Sequence, residues 1–84
     1  MPELTLYTMD TCAYSQKVLR FLKQNDIAVP IKNISENSSY RQELLKLGGK
    51  TQTPCLVIDG RALYESDDII AWFKANWKLS QKAQ

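Results

Sequence analysis

Two sulfur nucleophiles, Cys12 and Cys55, carry the reactive potential of this chain, which has no histidine to complete a Cys/His zinc site. Two cysteines are too few for the disulfide framework of a small secreted domain, so both are expected to rest as thiols in a reducing compartment. Cys12 falls where a strand-like run hands over to a helix-like one. The unpaired backbone N–H groups and the dipole of a helix N-terminus stabilise negative charge, and the thiolate is the nucleophile of disulfide exchange. A cysteine placed there can react near neutral pH; a lone cysteine can also be a small buried residue of no chemical consequence. Thr8, Asp10, Thr11 and Ser15 make the neighbourhood polar, which favours exposure.

The elements that must position Cys12 follow from periodicity. Leu4 to Met9 alternates apolar with polar and stops at Asp10-Thr11, as a strand does. From Cys12 on, Tyr14, Val18, Phe21 and Leu22 recur at helical spacing, with Leu19 widening the stripe, up to Asn25-Asp26. Ile27 to Ile34 returns to a period of two, but Pro30 cannot donate to a ladder, which puts this strand at a sheet edge. Asn37-Ser38-Ser39 supplies cap residues for a second helix. Ser39 and Gln42 have the spacing of a capping box, Leu44, Leu45 and Leu47 form the apolar face, and Gly48-Gly49 ends the helix.

Pro54 to Ile58 and Arg61 to Tyr64 read as a hairpin joined by Asp59-Gly60, a pair that tolerates the positive φ of a two-residue turn. Ser66 can cap a last helix with Asp67 and Asp68 in its first turn and Ile69, Ile70, Phe73 and Trp77 on its inner face. The tail from Ser80 to Gln84 is expected to fray. The order β-α-β-α-β-β-α implies an α/β fold: a mixed four-stranded sheet flanked by helices, with the first two strands parallel.

Composition narrows the function classes. At 84 residues, one domain spanning 1–84 is expected, and 44% hydrophobic with 24% charged residues is the balance of a chain that folds. Eleven basic against nine acidic residues, spread along the chain, give no basic patch for nucleic acid. No signal-peptide pattern and no membrane-length apolar run occur, so a cytoplasmic monomer without membrane contact is expected.

The segment from Tyr7 to Ser15, with Cys12-Ala13-Tyr14-Ser15 at its end, resembles the active-site loop of glutaredoxins, a C-x-[YF]-C or C-x-[YF]-S motif after the first strand. Thr51-Gln52-Thr53-Pro54 resembles the T-x-P loop of that family, and Tyr64 to Ile70 its glutathione-binding turn. The last segment is also similar to the N-terminal domain of glutathione transferases; a full transferase adds an all-helical domain, and the stand-alone glutaredoxin reading is preferred. The resemblance implies a thioredoxin-like fold, with glutathione as co-substrate and glutathionylated proteins or small disulfides as partners. It makes Cys12 the catalytic thiol and Pro54 a cis proline beside it, pairs the Thr53 backbone with the cysteinyl part of glutathione, places Tyr14 on the groove wall, and assigns the γ-glutamyl end to Ser66 and Asp67. Helix N–H groups suit a carboxylate and Asp67 suits an ammonium, although an N-cap serine and a dipole-matched aspartate explain the same residues. Lys17, Arg20 and Lys23 read as a solvated helix face, and Trp72 and Trp77 as packing residues.

The chain departs from that pattern at three places. Ser15 stands where a second active-site cysteine would be, which leaves a monothiol cycle. Met9 replaces a lysine common in relatives, and Gln52 an arginine, so the glycine end of glutathione is left to hydrogen bonds or Lys50. Cys55 could serve as an unorthodox resolving thiol; a buried residue on a central strand is preferred. Two alternatives to the enzyme remain, a glutathione-ligated [2Fe–2S] carrier and an adaptor without chemistry. The Ala13-Tyr14 pair and Thr51-Gln52-Thr53 differ from the motifs typical of the cluster carriers.

Overall fold

A computed structural model of the chain describes residues 3–77; the expected fraying of Ser80 to Gln84 falls outside them. Seven elements follow in order: β1 (Leu4–Thr8), α1 (Ala13–Gln24), β2 (Ile31–Asn33), α2 (Ser38–Gly48), β3 (Cys55–Ile58), β4 (Arg61–Leu63) and α3 (Ser66–Asn76). The strands form one sheet in the order β2-β1-β3-β4. β1 runs parallel to β2, with Leu6 opposite Ile31, and antiparallel to β3, with Leu6 opposite Leu56. The β3–β4 hairpin turns through Asp59 and Gly60, both at positive φ (49° and 85°), as its two-residue loop demands.

Strand alternation sends side chains to two separate cores. Leu4, Leu6 and Leu56 pack with Val18 and Leu22 of α1 and Ile69 and Phe73 of α3. On the opposite face, Tyr7, Cys55 and Val57 pack with Ile34 and with Leu44 of α2. Phe73 is the hub of the first core, fully buried, with ring centroids of Phe21, Trp72 and Trp77 at 6.4, 5.4 and 5.8 Å. The Tyr7 hydroxyl donates to Glu43, which also pairs with Lys32, so one carboxylate fastens α2 to β1 and β2.

Four local expectations are corrected. The edge strand covers only Ile31–Asn33, because Pro30 has no N–H to extend the ladder; Ile27 and Val29 join the first core from irregular chain. The second helix is capped by Asn37, whose side chain accepts the Ser39 N–H at 3.0 Å, so Ser39 lies inside the helix and no Ser39–Gln42 capping box forms. Only Leu44 of its three leucines is buried: Tyr40, Leu44 and Gly48, four apart, make the inward stripe, and Leu45 and Leu47 flank it in the solvent. Ser66 is the first helical residue of α3 and not its cap. The cap position is Glu65, at φ 72° and without a side-chain cap bond.

Gly48 is held open by its neighbour. A Cβ there would collide with the Tyr64 hydroxyl and lie 2.8 Å from its ring carbon Cζ. Helix propensity alone would make Gly48→Ala stabilising, but forcing Tyr64 aside outweighs that gain. The expected result is a net loss of about 1–2 kcal/mol, read as a fall in the midpoint of thermal unfolding. A rise in the midpoint would mean that Tyr64 moves freely.

Candidate functional site

Cys12 caps α1. Its backbone is extended (φ −92°, ψ 113°), and its sulfur accepts the backbone N–H of Ser15 at 3.4 Å, the N-cap bond in which an oxygen more often serves. The thiol reaches the backbone carbonyl of Thr53 at 3.4 Å, tying α1 to the loop before β3. Ser15 is fully buried, and its hydroxyl accepts the Met9 N–H at 3.2 Å, so the turn between β1 and α1 is closed from inside. From outside, Asn33 donates to the Asp10 carboxylate and the Ser35 hydroxyl accepts the Asp10 N–H. Cys12 itself is only half-buried.

The Thr53–Pro54 peptide is cis, as the resemblance implied, and both residues are buried. Beside them an open groove of about 320 Å³ is lined by Tyr14, Thr53, Pro54, Ser66 and Asp67, together with Gln52 and Glu65. All five residues that the sequence assigned to ligand binding therefore share one groove, and Cys12 joins it through Thr53. Ser66 is buried at the start of α3, whereas Tyr14 is 65% exposed and forms an outer wall.

Residues 6–80 of the chain match the family model described as glutathione S-transferase, N-terminal domain. The chain belongs to that family. Among individual proteins, it is 28% identical over 71 residues to glutaredoxin 3 of Escherichia coli strain K12, covering 84% of this chain and 86% of that one. Among solved structures, it resembles glutathione transferase Omega 3C from Trametes versicolor, with a TM-score of 0.73 and 27% identity over 87% of this chain and 33% of that one. The holo form of glutaredoxin C1 from Populus tremula x tremuloides shares the fold, with a TM-score of 0.68 and 21% identity over 98% of this chain and 86% of that one. The transferase N-terminal domain and the glutaredoxins are thus two versions of one thioredoxin-like fold, and this chain has it.

Within that fold the two cysteines are in opposite situations. Partial burial pushes the Cys12 thiol up, but the hydroxyls of Ser15 and Thr53 and the backbone N–H groups of Ser15 and Tyr14 stabilise the anion, and the net displacement is below the ordinary value. Burial pushes the Cys55 thiol up to about 11, with minor opposition from Leu63, Tyr64 and Lys50. Cys55 is fully buried on the α2 side of the sheet, among Tyr7, Ile34, Leu44 and Val57, so the inert reading of it is the one its surroundings favour.

Several side chains behave differently from what their types suggest. Met9 is half-buried against the α2-side core and does not line the groove. Lys50 also lies outside the lining, with its ammonium 4.5 Å from the centroid of the Tyr64 ring. One groove-lining residue, Glu65, and one residue beside the groove, Lys17, fall outside the assignments made from sequence. Glu65 accepts a 3.4 Å hydrogen bond from Gln52, and Lys17 of the supposedly idle helix face pairs with Asp67. The only advance signal for Lys17 was its spacing of three from Tyr14, which puts both on one side of α1.

The Ser15 hydroxyl gives a direct test of how the sulfur anion is held. Ser15→Ala removes a donor to the thiolate, so the ionisation of Cys12 moves up and its alkylation at mildly acidic pH slows roughly three- to tenfold. Alkylation rates measured across pH would show this. An unchanged profile would remove Ser15 from the account.

Proposed function

We propose that the protein is a glutathione-dependent thiol–disulfide oxidoreductase working by a monothiol cycle through Cys12. The observation that carries the reading is the Cys12 sulfur at an α-helix N-terminus, hydrogen-bonded to Thr53 on the wall of a groove of peptide size. Family membership and the likeness to glutaredoxin 3 support glutathione as the occupant. In this reading the backbone of Thr53, whose carbonyl also meets the Cys12 thiol, pairs with the cysteinyl unit in strand fashion, and Pro54 and Tyr14 bound it. The γ-glutamyl carboxylate sits at the N-terminus of α3 by Ser66, and its ammonium lies at Asp67.

The cycle has two exchanges. The Cys12 thiolate attacks the glutathione sulfur of a glutathionylated protein or small disulfide; a bond forms between those sulfurs, the original disulfide breaks, and the displaced thiolate takes up a proton. A second glutathione, as thiolate, then attacks the glutathione sulfur held on Cys12, forming glutathione disulfide and returning the Cys12 thiolate. One free glutathione and the glutathione carried by the substrate thus leave as glutathione disulfide, and the substrate sulfur is reduced to its thiol. Ser15 cannot intercept the mixed disulfide, having no sulfur, and Cys55 is on the other face of the sheet. The work suits a reducing compartment such as the cytoplasm, with the chain acting as a monomer.

The test is steady-state reduction of a small glutathione mixed disulfide, with oxidised glutathione read out by its reductase. The expected result is a colourless protein with turnover that depends on glutathione and follows ping-pong kinetics. A brown, dimeric preparation with bound glutathione would replace this reading by the cluster carrier, and a colourless protein without turnover would replace it by the adaptor.

A further inference from the structure

A charged pair stands beside the groove, one member of it, Asp67, lining the groove. Lys17, reaching across from α1, places its ammonium on the carboxylate of Asp67, the second residue of α3. Tyr14, one turn before Lys17, lines the same groove, so the pair stands at the groove's rim and not on a remote surface. Neither partner is buried, so the ion pair contributes little to stability, and its two charges are free to be shared with a ligand.

The free end of a γ-glutamyl group carries an ammonium and a carboxylate on one carbon. A lysine and an aspartate held in contact present the complementary pattern, carboxylate to ammonium and ammonium to carboxylate. Without Lys17, the groove's titratable charges near this end are the carboxylates of Asp67 and Glu65, which face a peptide carrying two carboxylates of its own. Glu65 is already engaged by the Gln52 amide, and no side chain caps the N-terminus of α3.

We propose that Lys17 is a specificity-determining residue that shares the ligand's α-carboxylate with the α3 N-terminus at Ser66, completing with Asp67 a two-charge reader for a zwitterionic amino-acid end. This rests on the glutathione reading above and deepens it. The pair discriminates against thiol peptides that present an amine or a carboxylate alone.

The experiment is calorimetric titration with two ligands that cannot exchange: S-methylglutathione and its counterpart lacking the α-carboxylate, with 4-aminobutyrate in place of glutamate. Wild type, Lys17→Gln and Lys17→Arg are compared. Lys17→Gln is expected to weaken S-methylglutathione by roughly two- to fivefold, as suits an exposed charge contact, and to leave the decarboxylated ligand unchanged; Lys17→Arg restores the difference. Tighter binding by Lys17→Gln would show that Lys17 only competes for Asp67, and an equal loss for both ligands would show a non-specific charge effect; either overturns the inference while the glutathione reading stands. Failure of the wild type to bind either ligand overturns both.

Discussion

Cys12→Ser is expected to lower the rate of disulfide reduction by on the order of 10³-fold or more while leaving the fold in place. The two parts of that result have separate physical causes. A serine hydroxyl ionises far above neutral pH, and hydrogen bonds sized for a thiolate do not bring it into range. The oxygen that replaces the sulfur is, however, a better N-cap acceptor, and position 12 already caps α1 through the Ser15 N–H. Thermal unfolding of Cys12→Ser should therefore match or slightly exceed the wild type. Substantial turnover in this variant would mean that another group attacks the disulfide; Cys55 is the only other sulfur nucleophile in the sequence, and it is buried.

Phe73→Ala is expected to cost about 3–5 kcal/mol, a large part of the total stability of a domain of this size. Phe73 is the point at which α3 is fixed to the sheet, with three aromatic neighbours and the Leu6, Leu56 and Ile69 side chains in the same core. Truncation leaves a cavity that the surrounding rings cannot fill without leaving their rotamers. The midpoint of thermal unfolding should fall by at least about 10 °C. Ligand binding should weaken with it, because Ser66 and Asp67 keep their place in the groove only while α3 is docked. Phe73→Leu, which retains most of the volume, should lose much less. A fall of only a few degrees in Phe73→Ala would show that α3 is held by something other than this core.

How much of this was legible beforehand depends on the range of the interaction. Short-range patterns read well: the stripe of Val18 and Leu22 on α1, the Asp59-Gly60 turn, and the edge position of the strand that follows Pro30 all follow from local sterics and periodicity. The groove-lining residues Tyr14, Thr53, Pro54, Ser66 and Asp67 were legible as a set because three motifs occur in order, and the cis form of Pro54 came from the resemblance, not from any property of its neighbours. What stayed hidden depends on contacts between distant segments. Nothing local marks Glu65 for positive φ, since its conformation is imposed where β4 is handed to α3. The Ile27 and Val29 pattern was real burial, but a core contact without a ladder partner has the same period as a strand. Lys17 looks like any solvated lysine until α3 brings Asp67 beside it.

The central claim is that Cys12 holds its negative charge more easily than an ordinary cysteine does. The direct measurement is the pH dependence of iodoacetamide alkylation in the native protein, with the modified residue located by mass spectrometry. The account predicts modification at Cys12 alone, with a midpoint below the value of about 8.5 for a free cysteine, and no reaction at Cys55 until the chain is unfolded. A Cys12 midpoint at or above that value, or labelling of Cys55 at a comparable rate in the folded protein, would contradict it.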